Sequence, residues 1–514
     1  MKVLLIFSLS FTCGFAARIL GVIPTASLSH HLPFIPVWKE LLLRGHQVTL
    51  LTTNPINDPA LKNLTEIDLS YSYEISKKYN LIDVASDESK SSMDMIEVLG
   101  KLFNETFHYQ LSHPQVQKLL QDKNIKFDVA LIESQLPIPL AFGWRFNCPV
   151  IGITSMEAPP FFHSGVGNMN HPLISPNPNL VLEDQEHLTF KDRLRSVIYN
   201  VVYEVLMKYR MVPRHTTLIR QYFGNDAPSV AELIQNISML MVATNPIFQN
   251  PRAVNPNTIF IGNGLHIGAP QDLPKDLQKY LDNSKNGVIY FSLGSNVKGR
   301  LLNDTTKREI LNAFADLPYN VLMKMDTELK DVPKNVRIEK WLPQQDILRH
   351  PNVKLFISQG GLQSLQESIT NGIPLVGIPF FGDQISNVYR MVKKGYGVRL
   401  DKKEITKDNL KAAILEVMNN PKYREKAKEM GELLHDEPMT SLEKAVWWIE
   451  YVIRHKGAKH LRSPAVDLPV YQYYMLDVIG FLLLVTIIPI YLFVKILKFI
   501  VRKICCKKSK SKRD

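Results

Sequence analysis

From Arg18 to about Arg454 the chain alternates short aliphatic and β-branched runs with amphipathic segments, and this alternation limits the folds open to it. Residues 19–23 read as a strand and residues 25–29 as a small polar loop. Phe34, Val37, Trp38, Leu41 and Leu42 then recur on one helix face. Pro33 and Pro36 suit a first turn but not a helix interior. Gly45 stops that helix and residues 48–51 resume as a strand, so a βαβ unit with a right-handed crossover is expected. A second unit runs from the strand at 127–132 to the strand at 150–153. Residues 245–286 are rich in Pro, Asn and Gly and read as a linker. Beyond them a new series opens at 288–293, with strand-like runs near 321–324, 336–338, 353–357 and 375–378. The fold class is therefore α/β, with two Rossmann-type domains, 18–244 and 287–455, facing a cleft.

The charge is concentrated at one end. The last twenty residues hold nine Lys/Arg and one Asp, which is +8 of the net +12, so the body carries little excess and gives no footprint for nucleic acid. With 45% hydrophobic residues the chain is not disordered, and four cysteines in 514 residues exclude a disulfide scaffold. Residues 1–17 have a basic Lys2, an apolar core and small residues Gly14 and Ala16 before a cut, the pattern of a secretory signal peptide. Residues 478–494 form an uncharged run of 17 between Asp477 and Lys495. As a helix it spans ~26 Å, close to a bilayer's apolar core. The membrane helix is set at 476–495, Tyr471, Tyr473 and Tyr474 forming an interfacial belt before it. The cations of 496–514 place that tail in the cytosol and the body on the lumenal side.

Four sequons, at Asn63, Asn104, Asn236 and Asn303, fall on the lumenal side and are expected to carry glycans. Of the cysteines only Cys148 stays there; Cys505 and Cys506 are open to palmitoylation or are plain tail residues. Lys510 and Lys512, five and three residues from the terminus in register, resemble a retrieval signal for the endoplasmic reticulum, a polybasic tail on anionic lipid being the alternative. Residues 187–213 carry an apolar periodicity that suits a core helix, the wall of an acceptor pocket or a membrane surface.

Gly262 and Gly264 suggest a dinucleotide loop, but Gly268 falls one residue late and Ala269-Pro270 follows instead of a helix. No phosphate-binding Walker loop, His/Cys metal cluster or Asp-x-Asp pair occurs, so no cofactor and no metal are expected. The informative stretch is Trp341 to Gln384. Gln359-Gly360-Gly361 turns the chain at a strand end, and residues 362–371 read as a helix stopped by Gly372. Free N–H groups at that helix start suit a phosphate, and the two glycines let the backbone approach it. Gln363 and Ser364 are placed to donate to the same anion, Glu367 to accept from a ribose, and Trp341 to stack on a base.

At these residues the chain resembles the UDP-glycosyltransferase family, in its membrane-bound animal branch. The resemblance runs over nearly the whole chain, from the signal through His30 and Ser292-Leu293-Gly294-Ser295 to the basic tail. It implies a GT-B-like fold, with Trp341 on uracil and Gln344 near the uridine. It also implies Glu367 on ribose, Ser295, Gln363 and Ser364 on diphosphate, and Asp383 and Gln384 on the sugar. Gln359 stands where the family usually has His, as in its insect members, which favours UDP-glucose over UDP-glucuronic acid. The family's catalytic histidine corresponds to His30, its position before Arg44-Gly45-His46 selecting it over His31. Glu133 stands where the family has the orienting Asp, one methylene longer. The expected reaction is inverting transfer of a hexose to a hydroxyl of a small lipophilic acceptor, a detoxification chemistry. Acceptor pockets of this fold draw on loops such as 86–104 and 159–179. A membrane lipid as acceptor, a non-catalytic nucleotide-sugar or lipophile-binding protein, and a homo-oligomer stay open at this point.

Overall fold

The computed structural model describes residues 16–80, 92–177, 180, 182, 187–249, 251–294, 299 and 302–510. Signal residues 1–15, Ser295 and Lys512 therefore lie outside the described residues. The chain divides into two compact units, residues 1–462 and 463–514.

The first unit holds two parallel sheets. One comprises β1 (Arg18–Ile23), β2 (Gln47–Thr52), β3 (Leu64–Asp68), β4 (Val129–Glu133), β5 (Val150–Thr154), β6 (Ile237–Val242) and β7 (Thr258–Phe260), in the order β3-β2-β1-β4-β5-β6-β7. The other comprises β8 (Val288–Ser292), β9 (Asn320–Lys324), β10 (Val336–Glu339), β11 (Val353–Ser358), β12 (Leu375–Gly377) and β13 (Gly397–Arg399), in the order β10-β9-β8-β11-β12-β13. In each sheet the order reverses beside its first strand, between β1 and β4 and between β8 and β11. Ligands of open α/β sheets settle outside the carboxyl ends of the strands at such a reversal.

These strands form because both faces are covered. Every residue of β4, β5 and β8 is buried, so their continuous apolar runs are core strands without polar alternation. Separate apolar clusters fill the two faces of each sheet. Residues 245–286 are more structured than their composition predicts. β7 pairs in parallel with β6 as an edge of the first sheet, and a helix, Lys275–Asn283, inserts Leu277 and Leu281 into the second lobe. Late in this unit the helix Ser441–Arg454 buries Ala445, Val446, Ile449 and Val452 against β1-side residues Ile19, Trp38 and Leu41 of the first lobe. Arg44 on that lobe donates to Glu450, 3.2 Å away.

The helix Phe190–Leu206 departs from a core helix. Its only buried residue is Ser196, while Phe190, Leu194, Val197, Ile198, Val201, Val202 and Val205 are all exposed. In the second unit one helix runs Leu476–Lys510, and its stretch Leu476–Lys503 is long and apolar enough to cross a membrane.

Candidate active site

His30 lies in a four-residue helix, Leu28–His31, that leaves β1, and Glu133 is the last residue of β4. Because β1 and β4 are adjacent and parallel, with Val22 opposite Ile132, both side chains emerge at the strand-order reversal. His30 Nδ1 is 2.5 Å from Glu133 Oε1. The Thr25 amide donates to Glu133 Oε2 at 3.2 Å, so both carboxylate oxygens are held. Burial works to raise Glu133, but the charge of His30 and its hydrogen bond, together with Thr25, outweigh it and keep the carboxyl below its usual range. An ionised Glu133 accepts the Nδ1 proton, which leaves Nε2 of His30 as the basic nitrogen.

The neighbouring histidine is different in kind. His31 is buried, with Nε2 near the Thr25 carbonyl (3.1 Å) and Thr53 Oγ1 (3.0 Å) and Nδ1 near Thr52 Oγ1 (3.1 Å). Burial lowers its pKa against the opposing pull of the Thr25 carbonyl. It braces the loop that carries His30.

The opposite wall is built at the second reversal. β11 ends at Ser358, Gln359 and Gly360 turn the chain, and Gly361 caps the helix Leu362–Thr370 with no side chain to satisfy the first N–H groups. Gly360 has φ +84°, and a Cβ there would come within 2.3 Å of Val388. Gln359 is buried, its Oε1 accepting from Gln384 Nε2 at 3.2 Å. Gly294, at φ +76°, leaves room for the Gln359 amide, since a Cβ would sit 2.4 Å from Nε2. Gln384 Oε1 in turn accepts from the Phe380 and Phe381 amides at 2.9 and 3.2 Å. Asp383 opens the next helix, Asp383–Lys394, behind Gly382, and accepts from Asn387 at 2.8 Å. Burial raises the Asp383 carboxyl, with Asn387 and the nearby charge of His30 opposing.

A second cluster surrounds Glu367. Gln344 Nε2 donates to Glu367 Oε2 (2.6 Å) and Ser364 Oγ (3.1 Å), while Tyr290 donates to Gln344 Oε1 at 3.2 Å. His266 Nε2 (3.1 Å) and Gln345 Nε2 (3.3 Å) meet Glu367 Oε1. Trp341 is 68% exposed, and one of its faces carries the Lys324 ammonium at 4.3 Å from the ring centre. The other face is the one available for stacking.

The two walls meet. Gln363 Nε2 donates to the Ser29 carbonyl at 2.5 Å, joining the glycine turn to the residue before His30. Of the residues read from sequence, His30 pairs with Glu133, Gln359 with Gln384, and Gln344 with Ser364 and Glu367; Gly360 and Gly361 form the turn, Gln363 reaches Ser29, Asp383 opens the next helix, Trp341 is exposed, and Ser295 lies outside the described residues. Sequence reasoning missed Tyr290, His266, Gln345 and Asn387. His266 sits in the Gly-rich stretch set aside as a failed dinucleotide loop, and no local pattern ties it to Glu367.

Among the sequons, Asn63, Asn236 and Asn303 are exposed, Asn303 also capping the helix Asp304–Ala315, whereas Asn104 is half-buried within the helix Ser92–Ser112. Cys148 is a free thiol. Among the described residues no group of His, Cys, Asp and Glu is arranged to hold a metal ion.

Known proteins resemble this chain in sequence and in fold. The family model for UDP-glucoronosyl and UDP-glucosyl transferase matches residues 18–511. UDP-glucosyltransferase 2 of Dactylopius coccus is 35% identical over 492 residues, covering 94% of this chain and 93% of its own. Human UDP-glucuronosyltransferase 2B7 is 31% identical over 534 residues, covering 100% and 99%. An ecdysteroid UDP-glucosyltransferase of Spodoptera littoralis nuclear polyhedrosis virus is 32% identical, covering 93% and 96%. Among solved structures, the calicheamicin glycosyltransferase CalG4 superposes with a TM-score of 0.56 at 18% identity, covering 86% of this chain and 99% of its own. The kitacinnamycin glycotransferase gives 0.57 at 20% identity, covering 85% and 99%. With its two Rossmann-type lobes, GT-B neighbours and whole-chain match, the chain belongs to the UDP-glucoronosyl and UDP-glucosyl transferase family and is a UDP-glycosyltransferase.

Proposed function

We propose that this enzyme moves a hexose, glucose in preference to glucuronic acid, from UDP to a hydroxyl of a small lipophilic acceptor, with inversion. The observation that carries the reading is the His30–Glu133 pair, set against the glycine turn by the Gln363–Ser29 bond. In this mechanism the acceptor O–H gives its proton to His30 Nε2 as its oxygen attacks the anomeric carbon. Glu133 stabilises the imidazolium that forms. The bond to UDP breaks with its electron pair passing to the diphosphate. The uncapped N–H groups of the helix Leu362–Thr370, with Gln363 and Ser364, receive that charge. Glu367, already oriented by Gln344, Gln345 and His266, takes the ribose, and Asp383 and Gln384 take the sugar hydroxyls. This leaving-group stabilisation calls for no metal.

The preference for glucose is supported by Gln359, a neutral amide already committed to Gln384, and by the glucosyltransferase name of the 35%-identical relative. We place the enzyme in the endoplasmic reticulum membrane, its body lumenal and glycosylated, with the span Leu476–Lys503 as anchor. Membranes bearing the protein are given UDP-glucose or UDP-glucuronic acid with a panel of phenols. Glucoside formation that disappears in His30→Ala, with UDP-glucose still bound, is the expected result. A wild type that binds the donor and transfers to none of the acceptors would overturn it.

A further inference from the structure

The chain just before β1 ends in a polar seat that the chemistry above does not use. Ala16 is exposed, whereas Ala17 is 0% exposed, its methyl in the apolar cluster with Ile19, Trp38 and Val48. The Ala17 carbonyl accepts from the Gln47 amide at 2.9 Å and so makes the first bond between β1 and β2. Its nitrogen donates to a side chain instead, Nδ1 of the buried His46, at 3.1 Å. With Nδ1 accepting, the ring proton sits on Nε2, which faces Glu450 Oε1 at 3.5 Å on the helix Ser441–Arg454. Arg44 also holds Glu450, at 3.2 Å. One residue on, the Arg18 amide donates to Asp128 Oδ2 at 2.7 Å. Two carboxylates therefore flank this end of the chain, one of them reached through an imidazole.

A backbone amide in a continuing chain needs one acceptor and no counter-charge. An α-ammonium needs both, and it needs water for its other N–H groups. The Ala16–Ala17 boundary supplies all three: an imidazole acceptor, a carboxylate behind it, and solvent on the side of Ala16. The residue pattern points to the same bond. Gly14 and Ala16 are small at the third and first positions before it, whereas a cut one residue later would set Phe15 at the third. The later cut would also discard the buried Ala17 methyl and its bond to Gln47. We propose that the mature chain starts at Ala17 and that its new α-amino group is seated on His46 Nδ1, with Glu450 as counter-charge, which ties the terminus to the helix Ser441–Arg454. In the processing step a membrane-bound signal endopeptidase adds water across the Ala16–Ala17 peptide bond. The hydroxyl goes to the Ala16 carbonyl carbon and a proton to the Ala17 nitrogen. The proposal rests on the lumenal reading of the body and is independent of the sugar transferred.

The test expresses the full chain in a secretory host, reads its first residue by N-terminal sequencing and its glycans by glycosidase digestion. The purified protein is then treated with acetic anhydride, native and in urea, and acylation of the terminal peptide is followed by mass spectrometry. A start at Ala17 is expected, with the α-amine acylated about tenfold or more slowly in the native protein than in urea. His46→Leu, which has no acceptor, should lose most of this protection. His46→Asn, whose side-chain oxygen takes the place of Nδ1, should keep it. A glycosylated chain that starts at another residue overturns the proposal and leaves the lumenal body standing. An unglycosylated chain that still carries residues 1–16 overturns both. A start at Ala17 with equal acylation rates in native and unfolded wild type, or full protection in a folded His46→Leu, overturns the seat. The wild-type comparison decides alone if the leucine variant does not fold.

Discussion

Glu133 is a buried carboxylate with two protein partners, and its ionisation depends on His30. With the histidine present its folded pKa lies below the ordinary 4.5. Such a group contributes stability that is complete above 4.5 and lost as pH falls through the folded value. With the histidine gone, only the Thr25 amide and the charge of His31 still oppose burial, so the carboxyl is expected to move upward. His30→Ala is therefore expected to lose melting temperature relative to wild type as pH rises from about 5 to about 7, by scanning calorimetry. An equal gap at both pH values would count against the coupling. Glu133→Gln keeps the shape but cannot stabilise an imidazolium. Its kcat should fall by ~10²–10⁴ with little change in donor affinity, measured by steady-state kinetics and UDP-glucose titration.

At the scale of elements, the glycine turn and the buried helices carry the sharpest expectations. Gly360→Ala meets both a positive φ and a Val388 methyl 2.3 Å away, so the turn must shift. About 1–3 kcal/mol of stability and most donor binding should be lost, as read by denaturant melts and UDP titration. His215, buried in the helix Val212–Phe223, is pushed down to about 4 by burial and the charge of Arg214. A lowered histidine leaves stability intact at neutral pH and removes it as pH falls from the unfolded value, 6.5, toward 4, where about 3 kcal/mol is gone. His215→Leu should flatten that acid limb in melts recorded across this range. The same scale shows what sequence can say. β1, β4, β5 and β8 were readable because strands covered on both faces write continuous apolar runs. β3 was not, because an outer strand such as Leu64–Asp68 keeps polar Thr65, Glu66 and Asp68. β7 and β13 are three-residue edge strands that are only partly buried, whereas the equally short β12 is buried throughout and reads as an apolar run. The pairing of His30 with Glu133 came from likeness to known proteins, since residues 103 apart leave no local mark of their contact. The Gln363–Ser29 and His266–Glu367 bonds had no such guide, and only the fold reveals them.

For the whole molecule, the decisive packing is that of Ser441–Arg454 on the first lobe. Val446 and Ile449 are 0% and 1% exposed among residues of β1 and its neighbouring helix. Ile449→Ala should destabilise by about 2–5 kcal/mol, and the loss should appear in the unfolding of the first lobe. A transition in which only the second lobe weakens, resolved by hydrogen exchange, would contradict this. Two segments of chain therefore join the lobes, one on the way out past Phe260 and one on the way back before Ser441.

That return has a consequence for biosynthesis. The first sheet is complete in sequence at Phe260, yet an apolar flank of it waits for a helix that begins at Ser441. At ~5–20 residues per second a ribosome needs about 10–40 s to make what lies between. During that interval the nascent chain presents an uncovered oily flank to its surroundings, and a chaperone holding it until translation nears its end is the natural companion of this topology.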